Sequence, residues 1–249
     1  MARAALPGGL MTTVSGGPPH PGPWQPARVT GIRRETPTAK TFTLTLPQPR
    51  SFWAGQYFVV RLTAPDGYRA QRSYSIASAP SDSAEVDLTV EILPGGEVSG
   101  FLNEAVEVGD VLDVRGPIGG DFAWDLRPAL GLAGGSGIVP LMSMLRHARK
   151  LGQPGLFRLV VSVRSPEELY YAAEIQGPDA SIVFTRAVPD GHVRPPGRLM
   201  ARELAAALDG DRDVYVCGST AFCDAATQLA AAAGVPVERI RVERFGFSG

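Results

Sequence analysis

Near the middle of the chain the apolar residues change their period, and that change limits the folds open to it. Before about residue 123 the pattern is short and two-fold. In Lys40–Leu46, Phe42, Leu44 and Leu46 alternate with Thr41, Thr43 and Thr45, as in a strand with one buried and one polar face. Similar strands are expected at Ala27–Ile32, Tyr57–Leu62, Gln71–Ala77, Val86–Ile92 and Val111–Arg115, separated by turns such as Pro65-Asp66-Gly67 and Gly109-Asp110. Six short strands at this spacing imply a closed six-stranded antiparallel barrel, with one helix at Val98–Ala105.

After the change, strands alternate with helical stretches. Strands are expected at Ala129–Ala133, Phe157–Val163, Ile182–Thr185, Val214–Cys217 and Ile240–Phe245, and helices at Val139–Leu151, Pro166–Glu174, Leu199–Leu208 and Phe222–Ala233. That order argues for a doubly wound parallel sheet, an α/β domain following an all-β one. The expected division is 1–24 a flexible tail, 25–126 a barrel and 127–249 a parallel-sheet unit.

Composition removes several classes of function. With 24 Lys+Arg against 25 Asp+Glu the net charge is −1, and the cations, 22 Arg plus Lys40 and Lys150, are scattered, so no nucleic-acid footprint appears. The barrel half carries −3 and the sheet half +2. Two Cys cannot ligate an iron–sulfur cluster or a four-Cys zinc site within the chain, and His20, His147 and His192 lie too far apart for a metal motif. No metal site is expected. The Gly/Pro-rich first 24 residues lack an apolar signal core, and no apolar stretch approaches the roughly 20 residues of a membrane span. A cytoplasmic location without a membrane span is expected.

Three segments suggest chemistry. Gly131-Leu-Ala-Gly-Gly-Ser-Gly-Ile-Val-Pro140 runs from a strand through glycines into a helix, a place where backbone N–H groups and the helix dipole meet an anion. Read alone, it is also an ordinary strand–turn–helix. The string does not form a G-x-S-x-G nucleophile elbow, since Ile138 follows Gly137. On Arg72-Ser-Tyr-Ser-Ile-Ala-Ser78, Arg72 and Tyr74 share one face of a strand, one suited to phosphate and the other to a flat ring; Ser73 and Ser75 point the other way. Gly95-Gly-Glu-Val-Ser99 places glycines and Ser99 at a helix start, equally readable as a capped turn.

The combination resembles the ferredoxin–NADP reductase-like family of FAD-dependent oxidoreductases. The resemblance rests on R-x-Y-S (Arg72, Tyr74, Ser75), G-x-x-S (Gly96, Ser99), R-G-P-x-G (Arg115–Gly119) and G-x-G-x-x-P (Gly135–Pro140). Cys217-Gly218-Ser219 and Glu243-Arg-Phe-Gly246 complete it, so that it covers about residues 27–246. It implies FAD on the barrel and NADP, or alternatively NAD, on the sheet domain, with FMN occurring in some relatives.

Residue by residue, the resemblance implies that Arg72 holds the FAD diphosphate, with Ser73 beside it. Tyr74 would pack on the flavin and Ser75 would bond near its N5. Gly96, Val98 and Ser99 would take the diphosphate from the helix side. Gly134, Gly135, Ser136 and Gly137 would receive the nucleotide pyrophosphate, Cys217 and Gly218 would flank the nicotinamide, and Phe245 would lie near the flavin. Ser75, Cys217 and Glu243 are the expected catalytic residues. Arg164, Ser165, Thr185 and Arg186, at the ends of adjacent strands, supply cations and hydroxyls for a 2′-phosphate, which favours NADPH. The implied reaction moves hydride from NADPH to FAD and electrons on to a separate acceptor: a ferredoxin, flavodoxin, oxygenase or other redox protein. The alternative is an electron-transfer subunit that turns over only within such a complex. Having no room for an iron–sulfur cluster, the chain would be a two-domain reductase whose one-electron carrier is another molecule.

Overall fold

The computed structural model describes residues 17–19 and 21–245. Most of the expected tail, and Gly246 to Gly249, lie outside the described residues.

The first sheet has six antiparallel strands: β1 (Gln25–Thr36), β2 (Ala39–Thr45), β3 (Tyr57–Thr63), β4 (Arg69–Ser75), β5 (Glu85–Glu91) and β6 (Val111–Ile118). Their order is β4-β3-β6-β1-β2-β5, and the edge strands meet through an Ile76–Leu88 bridge, closing the sheet into a barrel. Alternation sends Phe42, Leu44, Phe58, Val60, Leu88 and Val114 inward to one core. Helix α1 (Glu97–Glu104) adds Val98 and Leu102 to that core.

The polar faces of β2 and β5 are not wholly solvated. Thr41 and Thr89, opposite each other in register, are 1% and 6% exposed. Buried hydroxyls need partners. Each Oγ1 lies 2.7 Å from the other, and Thr89 Oγ1 lies 2.5 Å from Tyr171 Oη of the second half. The two halves are therefore joined through the outside of the barrel.

The second sheet contains β7 (Ala129–Gly134), β8 (Phe157–Val163), β9 (Ala180–Phe184), β10 (Asp213–Gly218) and β11 (Ile240–Arg244), all parallel in the order β11-β10-β7-β8-β9. Strand residues alternate between two cores. Leu130, Leu132, Val160, Val214 and Val216 face α3 (Ala201–Ala207) and α4 (Thr220–Ala232), while Ala129, Ala133, Val161, Tyr215 and Cys217 face α2 (Ile138–Lys150). Helix α2 is buried from Ile138 to Leu145, because the sheet covers one side and the barrel another.

The expected helix over Pro166–Glu174 does not form. Only a 3-10 turn, Pro166–Glu168, is present, and the chain then bends with Tyr171 at φ +53°. A left-handed tyrosine costs about 1–2 kcal/mol. Burial of Leu169, Tyr170, Tyr171 and Ile175 offsets that cost, as does the Tyr171 N–H, which donates to Glu35 Oε2 at 3.3 Å. Docking on the barrel overrides the helical spacing of this stretch. Among the described residues no helix is long and apolar enough to cross a membrane, and no group of three or more His, Cys, Asp or Glu is arranged to hold a metal.

Candidate functional site

Strand β4 presents its residues as the alternation requires. Arg72 pairs across β3 with Val60 and Tyr74 with Phe58, so both leave the same face; Ser73 and Ser75 pair with Val59 and Tyr57 on the other. Arg72 is exposed, and among the described residues it donates only from Nη1 to the Gln71 carbonyl, at 2.7 Å. Tyr74 packs against the barrel core, and its hydroxyl is buried without a partner among the described residues. Burial raises the Tyr74 pKa above the ordinary phenol value, opposed in part by the charge of Arg72. A neutral hydroxyl awaiting an acceptor, two residues from an exposed guanidinium, suits a phosphorylated ligand with a flat ring.

At the start of α1, Ser99 is spent locally. Its Oγ accepts from Leu93 N–H and donates to Gly96 O, both at 3.3 Å. Gly96 is needed for this turn, since a Cβ there would stand 2.4 Å from Ser99 Oγ. The Val98 side chain is in the barrel core, so only its N–H is available to an anion. What this helix end offers is backbone N–H groups, with no side-chain cap.

The glycine loop divides its work. Gly134 and Gly137 are packing glycines: a Cβ would enter the Phe222 ring at 2.5 Å from Gly134, or reach 2.2 Å from Cys217 O at Gly137. Gly135, at φ +55°, has nothing within 4 Å of a Cβ, and it opens the 3-10 turn Gly135–Gly137 that leads into α2 without a side-chain cap. Its open side, with Ser136, is where an anion could approach the turn.

Cys217, Gly218, Glu243 and Phe245 meet at the carboxyl ends of β10 and β11. Cys217 pairs in register with Glu243 and is fully buried, and burial pushes its thiol well above the usual range, which keeps it neutral. Burial likewise raises Glu243 to about 7, and its Oε2 is hidden without a hydrogen-bond partner among the described residues. The Phe245 N–H donates to Gly218 O at 2.8 Å, and its ring packs on the cluster that holds Cys217.

At the ends of β8 and β9, Arg186 N–H donates to Arg164 O at 3.0 Å and Thr185 N–H to Val163 O at 2.8 Å, so the two turns are fastened together. Arg164 is paired with Glu168, Nε to Oε2 at 2.6 Å, and Arg186 is exposed with no carboxylate partner among the described residues. Ser165 and Thr185 are half-buried beside them.

Residues 26–124 match the oxidoreductase FAD-binding domain and residues 132–228 the oxidoreductase NAD-binding domain. The ferredoxin–NAD(P)(+) reductase component of the naphthalene 1,2-dioxygenase/salicylate 5-hydroxylase systems of a Ralstonia species is 30% identical over 241 residues, 92% of this chain and 71% of that protein. The chain belongs to the ferredoxin–NADP reductase-like family of FAD-dependent oxidoreductases. The propane 2-monooxygenase reductase component of Rhodococcus jostii is 28% identical over 234 residues, 88% of this chain and 62% of that protein. The chain thus spans 62% and 71% of the length of these two reductase components. In fold it is similar to the FAD/NAD-binding domain of nitric oxide dioxygenase from Vibrio cholerae, with TM-score 0.79 over 90% of this chain and 99% of that one at 24% identity.

For a reductase-like flavoprotein, the barrel is the FAD domain and the parallel sheet the pyridine-nucleotide domain. The residues present fit these groups: the orphaned Tyr74 hydroxyl and exposed Arg72 on one side, the open Gly135 turn on the other. Several residues at this seam gave no sequence signal. Ser143 and Arg146 of α2 look like ordinary helix positions, and their carbonyl partners are visible only in the fold. Phe222 could have been noticed as an aromatic three residues after Ser219, the cap of α4, whose Oγ accepts from Phe222 N–H at 3.4 Å.

Proposed function

We propose that this chain takes hydride from NADPH onto FAD and passes the electrons to a separate redox acceptor. One observation carries the reading. Ala77, two residues beyond Ser75, belongs to the same buried cluster as Ile138 and Cys217, with Phe245 packed against it. The end of the flavin strand and the nucleotide loops thus share one seam, where two dinucleotides are brought edge to edge.

Bound FAD supplies two-electron uptake from a nicotinamide and stepwise release. The chain's own residues bind and orient. Arg72 and the N–H groups of Glu97, Val98 and Ser99 hold the FAD diphosphate, at the turn that Gly96 closes with its own N–H on Leu93 O at 2.8 Å. Tyr74 packs on the flavin, and Ser73 lies on the outer face of the strand. Ser75 hydrogen-bonds the flavin edge. The Gly134–Gly137 turn holds the nucleotide pyrophosphate, and Cys217, Gly218 and Phe245 wall the nicotinamide. Cys217 remains a neutral thiol, and Glu243 is the one carboxyl there that holds a proton near neutral pH. The two free, buried cysteines accord with a cytoplasmic setting.

Arg186, with Thr185 beside it, is the residue for the 2′-phosphate of NADPH; Arg164 and Ser165 form the other wall. Arg186→Ala is expected to lower kcat/KM for NADPH about 10- to 100-fold, the loss of one charge-assisted phosphate contact of about 1.5–3 kcal/mol, and to leave NADH nearly unchanged. Steady-state kinetics with both nucleotides test this. A wild-type protein that strongly prefers NADH contradicts the NADPH assignment.

Similarity to oxygenase reductase components supports a second reading, in which the chain turns over only when docked on its partner. Ferricyanide reduction separates the two. Rapid NADPH-dependent turnover by the purified protein supports the self-sufficient enzyme, and turnover that appears only on adding the acceptor supports the subunit. The acceptor class, whether ferredoxin, flavodoxin or oxygenase, is read from anaerobic titration of the NADPH-reduced protein against each.

A further inference from the structure

Helix α2 leaves the nucleotide loop and runs along the barrel. Three side chains on one of its faces, at positions i, i+3 and i+7, hold the chain that follows Ser75. Ser143 Oγ donates to Ser78 O at 2.6 Å, Arg146 Nη1 to Ala77 O at 2.8 Å, and Lys150 Nζ to Pro80 O at 2.9 Å. Arg146 does more. Its Nε and Nη2 clamp Glu174 at 2.9 and 2.6 Å, and its guanidinium lies 4.8 Å from the centre of the Tyr171 ring, which is itself bonded to Thr89 of the barrel. The helix whose first turn is the pyrophosphate cradle is thereby tied by one residue to the flavin strand and to the loop after β8.

We infer that Arg146 is a positioning residue: with Ser143 it fixes the register between the segment after Ser75 and α2, and so the distance and tilt between flavin and nicotinamide. This rests on the hydride-transfer reading above. Arg146 touches neither expected ligand site. Its effect comes through Ala77 O, two residues from Ser75, and a displacement of about 1 Å at the reacting atoms can cost about 100-fold in rate.

The test uses the full-length, FAD-loaded protein with Arg146→Met, Arg146→Lys and Ser143→Ala. Dissociation constants for FAD and for 2′,5′-ADP are expected to stay within about twofold of wild type. The limiting rate of flavin bleaching at saturating NADPH is expected to fall about 10- to 100-fold in Arg146→Met, with KM changed little. The long-wavelength flavin–nicotinamide charge-transfer absorbance, which reports ring stacking, falls with it. Arg146→Lys restores part of both, because Nζ reaches one of the two partners at a time. If the Arg146 variants do not fold, Ser143→Ala, which leaves no buried charge, is expected to show the same signature at roughly 3- to 10-fold. Unchanged rate and charge-transfer absorbance in the folded variants overturn the inference, and so does a rate loss matched by loss of FAD. A wild-type protein whose flavin is not bleached by either nucleotide overturns the hydride-transfer reading instead, without bearing on the interdomain bonds.

Discussion

Gly137→Ala is expected to destabilise the protein by about 3 kcal/mol or more and to weaken pyridine-nucleotide binding at least about tenfold, while the barrel keeps its FAD. The added methyl would stand 2.2 Å from Cys217 O, 2.3 Å from Cys217 C and 2.6 Å from Gly218 N. All three are backbone atoms of a central parallel strand, so no rotamer change relieves the contact. Ordinary overpacking of a core costs about 1–3 kcal/mol because side chains yield; here the end of β10 would have to part from the first turn of α2. Gly135→Ala is the control. Its Cβ meets nothing, so only the left-handed φ of +55° is penalised, at about 1 kcal/mol. Denaturant midpoints for the two variants, with titrations of 2′,5′-ADP and FAD, compare them directly. Equal destabilisation would mean that the close approach of the two loops is not as described.

Glu243→Gln is expected to raise stability at neutral and alkaline pH and to flatten its pH dependence. Burial raises Glu243 from 4.5 to about 7, and its Oε2 has no partner among the described residues. The folded protein binds this proton more tightly than the unfolded chain does. The protonated carboxyl is therefore well accommodated below pH about 4.5, and stability falls as pH rises from there through about 7. At about 1.4 kcal/mol per unit, the loss amounts to roughly 3 kcal/mol at most. Glutamine keeps the shape of the protonated side chain and removes the titration. The variant should match wild type near pH 4.5 and exceed it by about 2–3 kcal/mol at pH 8. Urea unfolding at several pH values measures the difference, and parallel curves for the two proteins would show that Glu243 is not held protonated. If the same carboxyl serves the transfer site, the pH–rate limb near 7 disappears in the variant as well.

What the sequence disclosed follows from how local each signal is. The strand Lys40–Leu46 and the segment around Arg72 declare themselves by two-residue alternation, and the structure keeps both. The glycine loop was legible as a turn from strand to helix, yet the roles within it were not. Gly137 serves a strand 80 residues away, and only the fold reveals that Gly135 alone faces open space. Pro166–Glu174 misled because its apolar spacing suits a helix, whereas Tyr171 is claimed by Thr89 and Glu35 of the other domain. Thr41 misled in the same way, being polar on the outer face of its strand yet buried under that domain. Arg146 has no local signature at all. Its three partners, Ala77, Tyr171 and Glu174, come from both halves of the chain.

One chain is expected to hold FAD and NADPH together for direct transfer. Anaerobic addition of NADPH to the FAD-loaded protein, followed at about 450 nm where oxidised flavin absorbs, tests it most directly. Rapid, saturable bleaching, faster with NADPH than with NADH, is the expected result. A protein that binds no flavin, or whose bound flavin stays oxidised under excess of either nucleotide, would contradict it.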